Sequence, residues 1–354
     1  MNEFRILSNG ILRLAMFSRA RLLELTEALK ERIIVVYGDI VADRFIHGVP
    51  KRISREAPVL ILRQYRDEIL PGGGGNAIAN ILDLGGLPVP ISVVGDDAAG
   101  HSLIENLTTR GIDCSGILPL SRYHTPMKVR VFGGMPHSAR QQIVRYDIEG
   151  QVEFTDAEAD KFAWMLRDQI AICDGGLISD YGYGVVTPSL AGNLTGFAGG
   201  KPITLDSRHQ LLNFPDVTAA TPNEEEAATA AGIDLYGDDE EESLRFVGES
   251  LRQGLDSEAL LITRGSRGMA LFRRDQADPL MIPVHGTDQI SDVTGAGDTV
   301  IAAFTLALTA GASFEEAAKL ANYAGGIVVM KMGTATVTND ELRRAIERDE
   351  ALDE

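Results

Sequence analysis

The stretch IIVVYGDIVADRF (33–45) opens with an unbroken β-branched run that stops at Gly38-Asp39. A strand buried on both faces reads this way, with its polar residues delivered at the carboxyl end. The same shape recurs in PVPISVVGDD (88–97), GGLISDYGYG (175–184), PITLDSRH (202–209) and ALLITRGSRG (259–268). Four of the five runs close on glycine and a charged residue; PITLDSRH carries the charges alone. Between them lie helical patterns such as AEADKFAWMLRDQIA (157–171) and EEESLRFVGESLRQG (240–254). The alternation predicts an α/β fold, a doubly wound and mostly parallel sheet flanked by helices. Ligands of such sheets sit at the carboxyl ends of the strands.

Two segments break the alternation. HGVPKRISREAPVLILRQYRDEIL (47–70) and TPMKVRVFGGMPHSARQQIVRYD (125–147) read as short strands and hairpins, and both are rich in Lys and Arg. They predict a small β-sheet lid, about 44–70 and 124–147; an extension of the main sheet's edge is the plainer alternative. Ser18 to Arg32 sets Leu22, Leu23, Leu25 and Leu29 at near-helical spacing, an amphipathic helix for the body or for a second subunit. The chain is thus expected to divide into a helical extension (1–32), one main domain with its lid (33–345) and a tail (346–354). The acidic turn YGDDEEE (236–242) reads as a solvated loop and helix start.

The 354 residues are 44% apolar, enough for a large core. With 51 acidic against 33 basic side chains the net charge is −18, which repels nucleic acid and anionic membrane and suits a cytoplasmic enzyme. Positive charge for a phosphate must then be local. Cys114 and Cys173 stand outside any C-x-x-C and read as reduced thiols. No apolar run reaches the roughly 18 residues of a membrane span. The N-terminus lacks the charge, apolar and small-residue order of a signal peptide.

SDVTGAGDTVIAAF (291–304) carries the clearest chemistry. Gly295, Ala296 and Gly297 at a helix entrance would offer free amide N–H groups to an anion, and the helix dipole adds to the attraction. Asp298 would stand where it can accept a proton from an attacking hydroxyl. An acidic cap after a glycine turn explains the same residues without function. Asp39 and Asp43, past a strand end, are either turn caps or rigidly held acceptors for a ligand. Asn223 and Glu226, three apart, read as a capping pair. Arg145 and Arg208, with Lys128 and Arg130 on one strand face, are candidates for holding a phosphate. Asn322 is placed on a helix where Gly325 and Gly326 permit close packing.

The string D-V-T-G-A-G-D-T resembles the carboxy-terminal signature of the ribokinase (PfkB) family of carbohydrate kinases. GDIVADRF (38–45) resembles that family's opening strand, and PGGGGNAIANILDLGG (71–86) its Gly-Gly…Asn signature. TPNEEEA (221–227) matches its N-x-x-E element, and ITRGSRGM (262–269) the strand and turn beside the nucleotide. RISREAPV (52–59), SDYGYG (179–184) and KMGTATV (331–337) look like the kinase domain of the bifunctional heptose enzymes. The resemblance covers residues 32 to 345 or so. It implies a ribokinase-like fold, ATP and Mg²⁺, and a homodimer through the lid.

The resemblance also implies roles. Asp298 is the base, with Gly295, Ala296 and Gly297 around the transferring phosphoryl group. Asp39, Asp43, Gly73, Gly74, Asn76, Arg145, Asp180 and Arg208 contact the acceptor. Asn223, Thr263, Gly265, Gly268 and Asn322 face the nucleotide, and Asn223 and Glu226 reach the metal through water. The implied acceptor is D-glycero-β-D-manno-heptose 7-phosphate, phosphorylated at O1 toward ADP-heptose and the lipopolysaccharide core. Another sugar or nucleoside, or a non-catalytic sugar sensor on the same fold, are the alternatives. An NAD-binding oxidoreductase is disfavoured, since the first strand is not followed by G-x-G-x-x-G.

This chain departs from the family at four places. Asp206-Ser207-Arg208-His209 replaces Asp-Pro-Lys-Gly, Tyr183 replaces a lysine, and Arg55 replaces a proline. Gly74 and Gly75 replace alanines, which is expected to open space near the sugar.

Overall fold

The structure, a computed structural model, describes residues 17–134, 141–214, 216–233, 240–286 and 292–352. Of the segments singled out above, residues 1–16, 135–140, 236–239 and 291 lie outside the described residues, as do 353–354 at the end of the tail.

Strand β1 (Ile33–Gly38) is the axis of the fold. It pairs in parallel with β4 (Leu87–Gly95) on one side and with β8 (Gly175–Asp180) on the other. Beyond β8 follow β9 (Ile203–Ser207), β10 (Ala219–Ala220) and β11 (Ala259–Thr263), all parallel. Two antiparallel strands, β12 (Met269–Arg273) and β13 (Gln276–Ile282), close that edge, and β5 (Ile117–Leu120) closes the other.

The alternation of side chains along β1 divides the core in two. Ile34 and Val36 face one layer, built on α2 (Gly74–Asp83), α3 (Ala98–Thr109), α8 (Ala296–Thr309), α9 (Phe314–Val328) and α10 (Asn339–Arg348). Val35 and Tyr37 face the other, built on α4 (Asp156–Ile172), α5 (Pro188–Thr195), α6 (Glu224–Ala231) and α7 (Glu240–Gly254). A strand buried on both faces cannot afford polar residues until it ends, and all five runs of the sequence are strands of this sheet.

Helix α1 (Arg19–Ala28) buries Leu22, Leu25 and Leu29 in the first layer. Asn339 at the start of α10 ties it down, donating to Thr26 O at 2.8 Å and to Leu84 O at 2.9 Å.

The lid is a separate four-stranded sheet in the order β3-β2-β6-β7. Strands β2 (Ile40–Ile53) and β3 (Leu60–Gly73) form a long hairpin, β6 (Met127–Gly133) runs parallel to β2, and β7 (Gln141–Ile148) is antiparallel to β6. Its strands start closer to the body than the basic segments suggested. β2 begins one residue after β1 ends, and β3 runs straight into α2.

Candidate active site

The carboxyl ends of β8, β9, β10 and β11 and the N-terminus of α8 meet around three adjoining cavities of ≈ 650, ≈ 310 and ≈ 440 Å³. The largest is lined by Asn223, Thr263, Gly265, Gly268, Gly297 and Asn322, with an apolar wall that includes Val284 and Val300. The middle one holds Asp180, Asp206, Glu226 and Asp298, and shares Asn223, Thr263 and Gly297 with the first. The third lies between lid and body, lined by Lys128, Tyr183 and His209, and shares Tyr181 and Arg208 with the second.

Asp298 sits in the first turn of α8, 2% exposed. Its Oδ2 accepts from Asn76 Nδ2 at 3.0 Å and its Oδ1 from the Tyr181 hydroxyl at 2.7 Å. Burial raises its pKa to about 6, against the lowering effect of those two donors. The helix starts from Gly295 at φ 77°, a left-handed turn open to glycine, and a Cβ there would stand 2.4 Å from Asn76 Nδ2. Ala296 N–H is used within the turn, donating to Val293 O at 3.2 Å. The amides of Gly297 and Asp298 have no acceptor among the described residues, and both residues border the middle cavity. Free amides at a positive helix end, beside a buried carboxylate, make a local anion-binding point.

Several residues do other work than their motifs suggested. Asp39 is fully buried, and its carboxylate accepts from the amides of Tyr181, Tyr183 and Val185 at 2.7, 3.3 and 3.2 Å. It anchors the loop after β8, and burial raises its pKa to about 7. Asp43 is paired with the buried Arg130. Asn76 neither caps α2, whose cap is Gly73, nor opens to the cavities. It is 1% exposed and holds Asp298 and Gly295. Arg145 turns its fork onto Asp147, at 2.9 and 2.6 Å, and the buried cation beside the third cavity is Lys128 instead. Gly73 and Gly74 face the end of β1, where a Cβ would approach Asp39 O to 2.9 and 3.1 Å. A methyl at Gly75 would meet Pro71 at 3.0 Å, so neither Gly74 nor Gly75 opens space for a ligand; they permit close packing.

Asp180 lines the middle cavity while accepting from Gly182 N at 2.9 Å and Ser207 Oγ at 2.7 Å. Asn223 and Glu226 form the reciprocal capping pair of α6, both bonds at 2.9 Å, yet also border the cavity. Asn322 donates to Pro283 O at 2.8 Å. The turn carrying Gly265 and Gly268 is tied to α6 by Arg264 and Arg267, both paired with Glu224.

Two residues at the site were given no role from sequence. Tyr181 follows β8, and nothing in local periodicity marks it. Asp206 ends β9; burial, then Glu226 and Asp298, push its carboxyl well above the usual range. Glu226 is raised as well, by burial first.

The family profile described as "pfkB family carbohydrate kinase" matches residues 32–153 and 194–341. The Bifunctional protein HldE of Mesorhizobium japonicum is 35% identical over 318 residues, and that of Geobacter metallireducens 39% over 311. These alignments cover 89% and 87% of this chain but 62% and 61% of the relatives, so the chain spans about three fifths of their length. Among solved structures, Arabidopsis thaliana ribokinase complexed with ribose and ATP aligns at TM-score 0.68 over 90% of this chain and 99% of its own. Phosphofructokinase-2 from Escherichia coli in complex with potassium aligns at TM-score 0.70 over 90% and 98%. Both are 19% identical and speak to the fold, which is ribokinase-like. With the profile matched across most of its length, this chain belongs to the pfkB family of carbohydrate kinases.

Proposed function

We propose that the chain is an ATP-dependent kinase whose acceptor is D-glycero-β-D-manno-heptose 7-phosphate, phosphorylated at O1. The observation that carries this reading is the position of Asp298 and the free Gly297 amide in the middle cavity, which shares Gly297 with the largest cavity and Tyr181 and Arg208 with the third. A nucleotide suits the largest cavity, with its mostly apolar wall, and a phosphosugar suits the third, with Lys128 and Arg208. The reaction then takes place between them.

Asp298 accepts the proton of the acceptor hydroxyl, and the amides of Gly297 and Asp298 stabilise the charge on the transferring phosphoryl group. Phosphoryl transfer depends mainly on such positioning, so few side chains suffice. The facing carboxylates Asp206 and Glu226, each raising its pKa in a cavity where Arg208 is the nearby cation, fit a hydrated divalent ion. Mg²⁺ held through water by Asn223 and Glu226 would neutralise phosphate charge there. The resemblance of the chain to the HldE proteins favours a heptose phosphate over other sugars.

A homodimer through the lid belongs to the same proposal. Every residue of β7 is exposed, and Ile143, Val144, Tyr146 and Ile148 leave that strand with apolar surface to cover. Light scattering at two protein concentrations tests it. The activity is tested by ADP release over a panel of sugars, sugar phosphates and nucleosides, with phosphorus NMR of the product. Turnover of a nucleoside or an unphosphorylated sugar in preference to the heptose phosphate would overturn the acceptor; no turnover at all would overturn the kinase.

A further inference from the structure

Tyr181 is the most constrained side chain at the site. Its backbone N–H is held by Asp39, and its ring passes close to Gly73, where a Cβ would come within 3.2 Å of Cε2. Lys128 Nζ, reaching in from the lid, lies 4.8 Å from the ring centroid, and the Arg208 guanidinium lies 5.4 Å from it. Cations at those distances are attracted to an aromatic ring and hold it in place. The hydroxyl is left pointing at Asp298 Oδ1, 2.7 Å away. Because Asn76 occupies Oδ2, the two donors come from different elements and fix both the position and the plane of the carboxylate.

We propose that Tyr181 is a positioning residue for phosphoryl transfer, its hydroxyl holding the Asp298 carboxylate in the orientation that receives the acceptor's proton. The inference rests on the kinase reading for what Asp298 does, but not for the coupling between the two side chains. Burial first, and then the neighbouring Asp298 charge, keep the phenol protonated, so it remains a donor across the working pH range. A donor to the ionised form favours that form. The other charged groups around Asp298 are Asp43 from β2, Lys128 from β6, and Asp206 and Arg208 at the end of β9; Asp180, from β8, and Glu226, from α6, line the same cavity. Replacing the tyrosine by phenylalanine leaves all of them, and the ring, in place.

The experiment uses the full chain labelled with ¹³C-aspartate. The Asp298 carboxyl resonance, assigned by its loss in Asp298→Asn, titrates near 6 in the wild type. In Tyr181→Phe it moves up by about one pH unit. Labelling with 3-fluorotyrosine, which keeps every ring but makes the phenol a stronger donor, moves it the opposite way. In ADP-release assays with the preferred acceptor, kcat of Tyr181→Phe falls about fivefold at pH 6 and little at pH 8, while KM for ATP is unchanged. A merely structural role would lower kcat equally at every pH and leave the carboxyl titration where it was. That outcome, or a wild-type profile in Tyr181→Phe, overturns the proposal. If no acceptor is turned over by the wild type, the kinase reading fails while the carboxyl titration still decides the Tyr181 coupling.

Discussion

Gly297→Val separates folding from chemistry. Gly297 lies in the first turn of α8 outside the left-handed region, and a Cβ built on it meets no atom within 4 Å. The added branches enter the space shared by the ≈ 650 and ≈ 310 Å³ cavities. In a helix, glycine costs about 1 kcal/mol relative to alanine and valine somewhat less, so stability should change by about 0.5 kcal/mol at most. Turnover should not survive, because a phosphoryl group can no longer reach the amides of Gly297 and Asp298. Loss of one such donor costs about 10²–10³ in kcat, or roughly 3–4 kcal/mol of transition-state stabilisation. Gly295→Ala, two positions earlier, should behave differently. At φ 77° it takes on a left-handed penalty of about 1–2 kcal/mol, and its Cβ lands 2.4 Å from Asn76 Nδ2. Chemical denaturation and ADP release on both variants form the assay. Gly297→Val should unfold like the wild type without turning over; Gly295→Ala should unfold earlier and also lose activity. A folded Gly297→Val enzyme of normal turnover refutes the reasoning, as does a Gly295→Ala protein of normal stability.

Because burial raises the pKa of Asp298, the carboxylate required of a base is present above about 6 and is lost as pH falls through that value. The kcat profile should therefore drop on its acid side near 6, and Asp298→Asn should abolish turnover while sparing ATP binding; a flat profile down to pH 4.5 contradicts the assignment. Asp39→Ala strips three backbone amides of their acceptor, which should destabilise the chain by at least about 2 kcal/mol in denaturant titration; an unchanged midpoint would remove Asp39 from its anchoring role. Lys128→Met removes a buried cation from the third cavity, so KM for a phosphorylated acceptor should rise about tenfold while KM for ATP stays put. Equal effects on both substrates would place the acceptor's phosphate elsewhere.

The strands of the main sheet were legible because β-branched runs buried on both faces leave a mark within a few residues of sequence. So was the glycine turn before α8, since a left-handed residue at a helix entrance and a helix end free to bind an anion impose local composition. The roles of Asp39, Asn76 and Tyr181 were not legible. Asn76 finds Asp298 across 222 residues, Tyr181 finds it across 117, and Asp39 reaches the loop 142 residues on. Periodicity carries no information at that range. Motif resemblance pointed Asp39 and Asn76 at a ligand; the fold adds what sequence could not show, that Asn76 bonds Asp298 and Asp39 bonds the loop after β8. Asp206 was passed over because its neighbours depart from the family string, although the carboxylate itself is retained.

The way the lid joins the body has a mechanical consequence. Among the described residues, β2 leaves β1 through Asp39 alone and β3 enters α2 with no intervening loop; Gly74 N–H donates to Asp39 O at 2.9 Å across the join. Two fourteen-residue strands clamped side by side at their root behave as a cantilever, not as a door on a hinge. Their register slips at His47/Gly48 and again at Pro50/Arg52, and these are the places where such a beam bends. Movement of the outer half of the lid then leaves Asp43, near the root of β2, where it is.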